Sequence, residues 1–354
     1  MGSFDVGLRL RHDCANITTA FEWAAGHDNW IVAGELLTGS NGAYIMDARL
    51  PEVTTALRRI AARVAALDAD LHGCITVQLF SLHQLLTDIA SAIAAGRELT
   101  RSPLGCFRSV GWTCTAWFAA FGAPEHVDGL LARADHERSD ATSPDQVRSD
   151  AHTVAAIMPL MVHSLVAILN EDFGRSRALS HTLATDLRDA TFNVFVVSAA
   201  MSEVMLGLPD TALVTVAQLD DFDLPNMDGT EVRALAHLAL GDAETATPFI
   251  ERLAKRAATG VYGAESNDAM LLLTALAHHD GDDNAARDYL RVASMGRQPG
   301  TIAFGRHLAR QLGIIDEYLV DVASLDEPGN PQGGMGATRS MTALRAELTR
   351  RGWA

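Results

Sequence analysis

Apolar residues recur along this chain at intervals of three and four, and nowhere settle into the every-second-residue alternation of a half-buried strand. RHDCANITTAFEWAAGHDN reads as an amphipathic helix ending at Gly26, and LPEVTTALRRIAARVAALDA as another, opened by Pro51 at a favoured first-turn position. Turn signals at Gly174, Gly207, Gly241 and Gly281 are separated by 33, 34 and 40 residues. A period near 34 marks tandem helix–turn–helix units of the tetratricopeptide (TPR) kind. Glycine relieves strain where the first helix of a pair ends, and a small residue five positions on lets the second helix pack closely. Gly207 is followed by Ala212, Gly241 by Ala246 and Gly281 by Ala286, with Asp242 and Asp282 placed as N-caps. The Gly174 turn is looser, its alanine being Ala178. The pattern predicts an all-α fold, a TPR-like solenoid of helical hairpins wound as a right-handed superhelix.

The same reading divides the chain. Residues 1–134 form N-terminal helical repeats, the polar stretch 135–150 a loop or hinge, and 151–323 the TPR-like repeats. A Pro- and Gly-rich linker at 324–336 then leads to a C-terminal basic helix, 337–354, whose charged face is expected to be solvated.

Composition narrows the function classes. Of 354 residues 48% are hydrophobic and 20% charged, enough for a large core and too few charges for a disordered chain. Arginine almost entirely replaces lysine, Lys255 being the sole lysine, and the net charge of −16 opposes binding to a phosphate backbone. No direct nucleic-acid binding by this chain alone is expected. Cys14, Cys74, Cys106 and Cys114 form no C-x-x-C pair and are expected to be reduced, as small buried hydrophobes in a cytoplasmic protein. MGSFDVGLRL has no apolar core of a signal peptide. The apolar segments 153–169 and 192–208 are short for a bilayer span and are interrupted by Pro159 and His163 or by Glu203.

RLRHDCANITTAFEWAAGHDN, residues 9–29, resembles the helix that opens the helical-repeat region of large bacterial LuxR-type and AfsR-like transcriptional regulators. The matching residues are His12, Asp13, Asn16, Ala20, Glu22, Trp23, Ala24 and Gly26. GATRSMTALRAELTRRGWA, 336–354, is similar to the short helix that precedes the helix-turn-helix in actinobacterial members. The resemblance implies the middle region of such a regulator, between a nucleotide switch and a DNA-binding domain. The chain carries no G-x-x-x-x-G-K-[ST] loop, and Lys255 sits in the helical context ERLAKRA.

A search for reactive chemistry yields no catalytic residue, no metal site and no cofactor. His278 and His279 point about 100° apart on a helix and do not share a metal. DGDDNAARDYLR lacks the glycine and closing glutamate of a calcium loop, and QLDDFDLPNMDG, 218–229, reads as an inter-repeat loop. In a TPR-like array the first helix of each pair lines the concave groove. Counting back from the turns puts Val197, Met201, Asp228, Glu231, Asp268 and His278 there. The partly acidic, partly apolar groove suits a basic peptide or helix, or an amphiphilic small effector. The expectation is therefore a non-catalytic module of a signalling or transcription-regulatory protein that binds a partner in its groove. The alternatives are a self-associating scaffold, detectable as a homo-oligomer, and an unrecognised α-helical enzyme.

Overall fold

A computed structural model of the chain describes residues 10–47, 49–86, 88–139, 149–186, 192–219, 229–259, 263–293, 299–315 and 332–353. Among the described residues regular structure is entirely helical. The α-helices in order are α1 (Cys14–Gly26), α2 (Trp30–Met46), α3 (Leu50–Ala65), α4 (Ala69–Leu85), α5 (Ile89–Leu99), α6 (Gly105–Gly122) and α7 (Val127–Ser139). Then come α8 (Ser149–Leu169), α9 (Phe173–Asp186), α10 (Phe192–Met205), α11 (Pro209–Val216), α12 (Thr230–Ala239) and α13 (Ala243–Ala258). The last four are α14 (Gly263–His279), α15 (Asp283–Ala293), α16 (Pro299–Gln311) and α17 (Gln332–Arg351). None is long and apolar enough to cross a membrane, including α8 and α10, which hold the two apolar segments.

The chain divides into two compact units, Met1–His163 with Asp186–Phe192, and Ser164–Thr185 with Asn193–Ala354. The division falls within α8. Of the stretch 135–150, its first five residues complete α7 and its last two begin α8, while 140–148 lie outside the described residues.

In the first unit consecutive helices from α1 to α7 pack on one another, and α2 also packs on α4. The sequence explains α3 well. Its Val53, Leu57, Ile60 and Val64 recur at helical spacing and are all fully buried, while Arg59 and Arg63 lie outside that stripe, over the rings of Phe21 and Trp30. A second core, of Val77, Phe80, Ala92, Leu99, Phe107, Val110 and Cys114, joins α4, α5 and α6. All four cysteines are free thiols, three of them buried.

In the second unit one turn recurs. At the ends of α8, α10, α12, α14, α16 and α17 an amide closes back to a carbonyl five residues earlier: Asp172 to Ala167, Leu208 to Glu203, Asp242 to His237, Asp282 to Ala277, Ile314 to Ala309 and Trp353 to Leu348, all at 2.8–2.9 Å. The residue before each closing amide is left-handed: Glu171, Gly207, Gly241, Gly281, Gly313 and Gly352. The turn expected at Gly174 is therefore centred on Glu171, and Gly174 lies in the first turn of α9. Asp172 sets that start, because its side chain caps the Arg175 amide at 3.1 Å. Five positions after the left-handed residue the chain places Ser176, Ala212, Ala246 and Ala286, each fully buried. Small side chains there let paired helices close on each other.

Helices α12 to α15 pack consecutively, and α12 on α14 and α14 on α16 bring alternate helices side by side. Their shared core includes Leu235, Ile250, Leu253, Met270, Leu272, Leu276, Leu290, Phe304 and Leu308. The C-terminal helix α17 joins it. Its Leu344 and Leu348 are buried and it packs against α13, α14 and α15. Its basic face is not merely solvated, as the sequence suggested. Arg345 caps α13 by donating to the Ala258 carbonyl at 2.8 and 3.1 Å, and Arg350 and Arg351 grip Glu347. The helix also starts at Gln332, inside the stretch read as linker.

Candidate functional site

Among the six groove residues expected from the sequence, Glu231 and Asp268 both lie close enough to Glu265 to act on its charge. Glu231 lies in the first turn of α12 and Asp268 in the second turn of α14, and α12 and α14 pack side by side. Glu265 itself is a residue the sequence count passed over. It lies three positions before Asp268 on the same helix, so the two carboxylates share a side.

The start of α12 is fixed by Gly229, which is left-handed at φ +65° and whose Cβ would fall 2.1 Å from a Val216 methyl. Only glycine can hold that approach. Arg233, one turn on, donates to the Val216 carbonyl at 3.1 Å and ties α12 to the end of α11. On α14 the opening polar run Glu265-Ser266-Asn267 is buried, against the habit of exposed helix starts.

Glu265 is 9% exposed, and its Oε1 lies 2.8 Å from Arg256 Nε at the end of α13. Its Oε2 is buried and accepts no hydrogen bond among the described residues. Burial pushes the Glu265 carboxyl up to about 7; the Asp268 and Glu231 charges push the same way and the Arg256 guanidinium opposes them. The site is a desolvated carboxylate, held by one internal cation and crowded by two further acids. It can receive positive charge or a proton. No nucleophile, His–carboxylate relay or oxyanion-stabilising pair is joined to it in the described contacts.

The remaining groove residues do not gather there. His278 lies ten residues beyond Asp268, about 15 Å along the helix axis, and its Nδ1 pairs with Asp283 at 2.8 Å across the α14–α15 turn. It ties a turn and does not line the carboxylate site. The same five-residue pairing joins His83 to Asp88 at 3.3 Å and His237 to Asp242 at 3.6 Å. Met201 is half-buried against the apolar core of the unit, and Val197 is partly buried one turn earlier on α10. Asp228 lies outside the described residues, as does most of the acidic stretch 218–229. Among the described residues no group of three or more His, Cys, Asp or Glu side chains is arranged to hold a metal ion.

A second polar centre joins α8, α9 and α10. Glu203 is fully buried, and its Oε1 receives Arg177 Nε at 2.8 Å and lies 3.1 Å from His181 Nε2. Beside it Ser164, Ser176, Ser180 and Ser202 form a buried hydroxyl network with separations of 3.0–3.3 Å. The sequence hid this centre, since Glu203 appears there only as an interruption of an apolar run.

The chain matches no family model, no curated protein and no solved structure.

Proposed function

We propose that this chain is a non-catalytic helical-repeat module of a signalling or transcription-regulatory protein. Its hairpins form a TPR-like solenoid, and it binds a cationic segment of a protein partner at the face carrying Glu231, Glu265 and Asp268. The observation that carries the solenoid reading is the recurrent left-handed turn with its buried small residue five positions on. Stacking of α12 on α14 and α14 on α16 brings first helices side by side, as a groove requires. The binding reading rests on the buried Glu265 carboxylate, whose second oxygen is unsatisfied, and on the overall charge of −16. A basic partner is drawn by that charge, and its guanidinium or ammonium group replaces Arg256 as the counter-ion. The two end segments that resemble LuxR-type and AfsR-like regulators supply the signalling context. Coupling to a switch requires only that the partner bind one conformational state better than another.

Isothermal titration of the full chain with a helical peptide alternating arginine and leucine tests this reading. Affinity is expected to fall about tenfold or more in Glu265→Gln/Asp268→Asn, one such pair being worth ~1.5–3 kcal/mol when desolvated. The control Asp128→Asn/Glu244→Gln, two acids in the first turns of other helices, leaves it unchanged. Equal losses in both variants would reduce the binding to general charge attraction.

A self-association scaffold is the second reading, because Leu206, Leu208 and Leu240 stand exposed at two successive turns with Val214 on α11. A concentration-dependent mass in light scattering, abolished by Leu206→Ser/Leu240→Ser, would favour it.

A further inference from the structure

Six turns among the described residues of the second unit share one backbone geometry, and five of them place glycine at the left-handed position. The sixth places Glu171 there, at φ +60°. Glutamate has a Cβ that opposes this conformation, and it lacks the short polar side chain that lets Asp or Asn tolerate it. A side chain kept where glycine suits the backbone better points to work done by that side chain.

Its partners are on α16, far along the chain. Arg310 grips the Glu171 carboxylate with two parallel hydrogen bonds, 2.5 and 2.6 Å, and Arg306 donates to the Leu169 carbonyl at 3.0 Å. That carbonyl closes α8, so Arg306 also meets the negative end of a helix. The joint stays partly open to solvent, the Glu171 and Arg310 side chains being 31% and 50% exposed. The two sides are anchored differently. Phe304, Leu308 and Ala309 bury α16 in the apolar core shared by α12 to α17, and among the described residues that core takes no buried member from α8 or α9. On its other side the α8–α9 hairpin meets α10 through the serine network and the Glu203 pair. Breaking the Glu171–Arg310 joint therefore leaves the apolar core untouched.

We propose that Glu171, Arg310 and Arg306 form a releasable clasp between the α8–α9 turn and α16. Opening it lets the α8–α9 turn and α9 move as one piece against α16 within the second unit. The device does not depend on what the unit binds. It gives the fold two nearby states set by ionic interactions, which is what a module that responds to a charged partner or to salt requires.

Paired spin labels test it, on Gly174→Cys of α9 and Gln311→Cys at the end of α16. The background carries Cys74→Ser, because the other three cysteines are buried. Gly174 has room for a side chain, the nearest foreign atom to a Cβ there being 3.8 Å away. At low salt one narrow distance distribution is expected. About 1 M salt, Glu171→Gln or Glu171→Gly each add a longer-distance population, the open fraction rising roughly three- to fivefold. The charge-swapped pair Glu171→Arg/Arg310→Glu restores the narrow distribution. The salt series on the labelled chain needs no change at Glu171, so a poorly folding variant leaves the test intact. Distances that stay the same under salt and in both single variants would overturn the clasp. So would Glu171→Gly raising the melting midpoint without changing the distances, since Glu171 would then be an ill-fitting turn residue and nothing more.

Discussion

Gly229 and Gly39 show how one residue type carries opposite consequences. Gly229 is left-handed and its missing Cβ is what lets α12 start against Val216. Gly229→Ala is expected to cost about 2–3 kcal/mol, through strain and overpacking together. Gly39 sits within α2, where an added Cβ would meet no atom within 4 Å, so Gly39→Ala should stabilise by about 0.5–1 kcal/mol. Urea unfolding of the two variants checks both signs. Neither role was legible in the sequence, because the difference is made by a neighbour distant in the chain.

Titratable residues give a second test at this scale. His83 is buried with Arg58 Nη2 3.4 Å and Asp88 Oδ2 3.3 Å from its Nδ1. Burial lowers its affinity for a proton, Arg58 lowers it further, and Asp88 works against both. The folded chain then binds a proton at His83 less well than the unfolded chain, whose histidines titrate near 6.5. Stability at this group is full above that pH and declines as pH falls through 6.5 toward the folded value. Glu265 behaves oppositely. Its folded pKa of about 7 exceeds the unfolded 4.5, so its contribution is greatest below 4.5 and is lost as pH rises from 4.5 through 7. Denaturant midpoints between pH 4.5 and 8 should therefore show a negative slope from Glu265 that Glu265→Gln removes, and a positive one at the acid end that His83→Asn removes.

At the scale of elements, the sequence foresaw most of the second unit and misread its margins. Gly207, Gly241 and Gly281 with their partners Ala212, Ala246 and Ala286 sit where the spacing put them, since a left-handed turn and a close helix crossing each demand a particular residue type. Glu171 escaped because glutamate carries no turn signal; its position is set by the Asp172 cap and the α16 arginines. The charged face of α17 was read as solvated; its Leu344 and Leu348, one turn apart, hold the helix down on the core, and its arginines bond Ala258 and Glu347. Leu344 is fully buried, so Leu344→Ala is expected to destabilise the second unit by about 2–4 kcal/mol. A solvated helix would give a change within ~0.5 kcal/mol, and a thermal melt distinguishes the two.

At the scale of the whole molecule, the all-helical character of the described residues was plain from the three- and four-residue spacing and from the absence of alternation. Of the residues around Glu265, Glu231 and Asp268 were reached by helix counting from a turn. Glu265 and Arg256 were not, since a buried polar run at a helix start resembles an exposed one in sequence. His278 lies apart from Glu265 and pairs with Asp283, because counting fixes the face of a helix but not the tertiary level at which a neighbour ends.

Amide hydrogen exchange of the full chain, with and without a saturating arginine–leucine peptide, asks whether a basic partner docks on the face shared by α12 and α14. Added protection is expected in two segments, 230–240 at α12 and 263–272 at the start of α14, with no change across residues 14–139. Protection confined to the first unit or to the second helices of the hairpins, or none at saturation, would refute that docking.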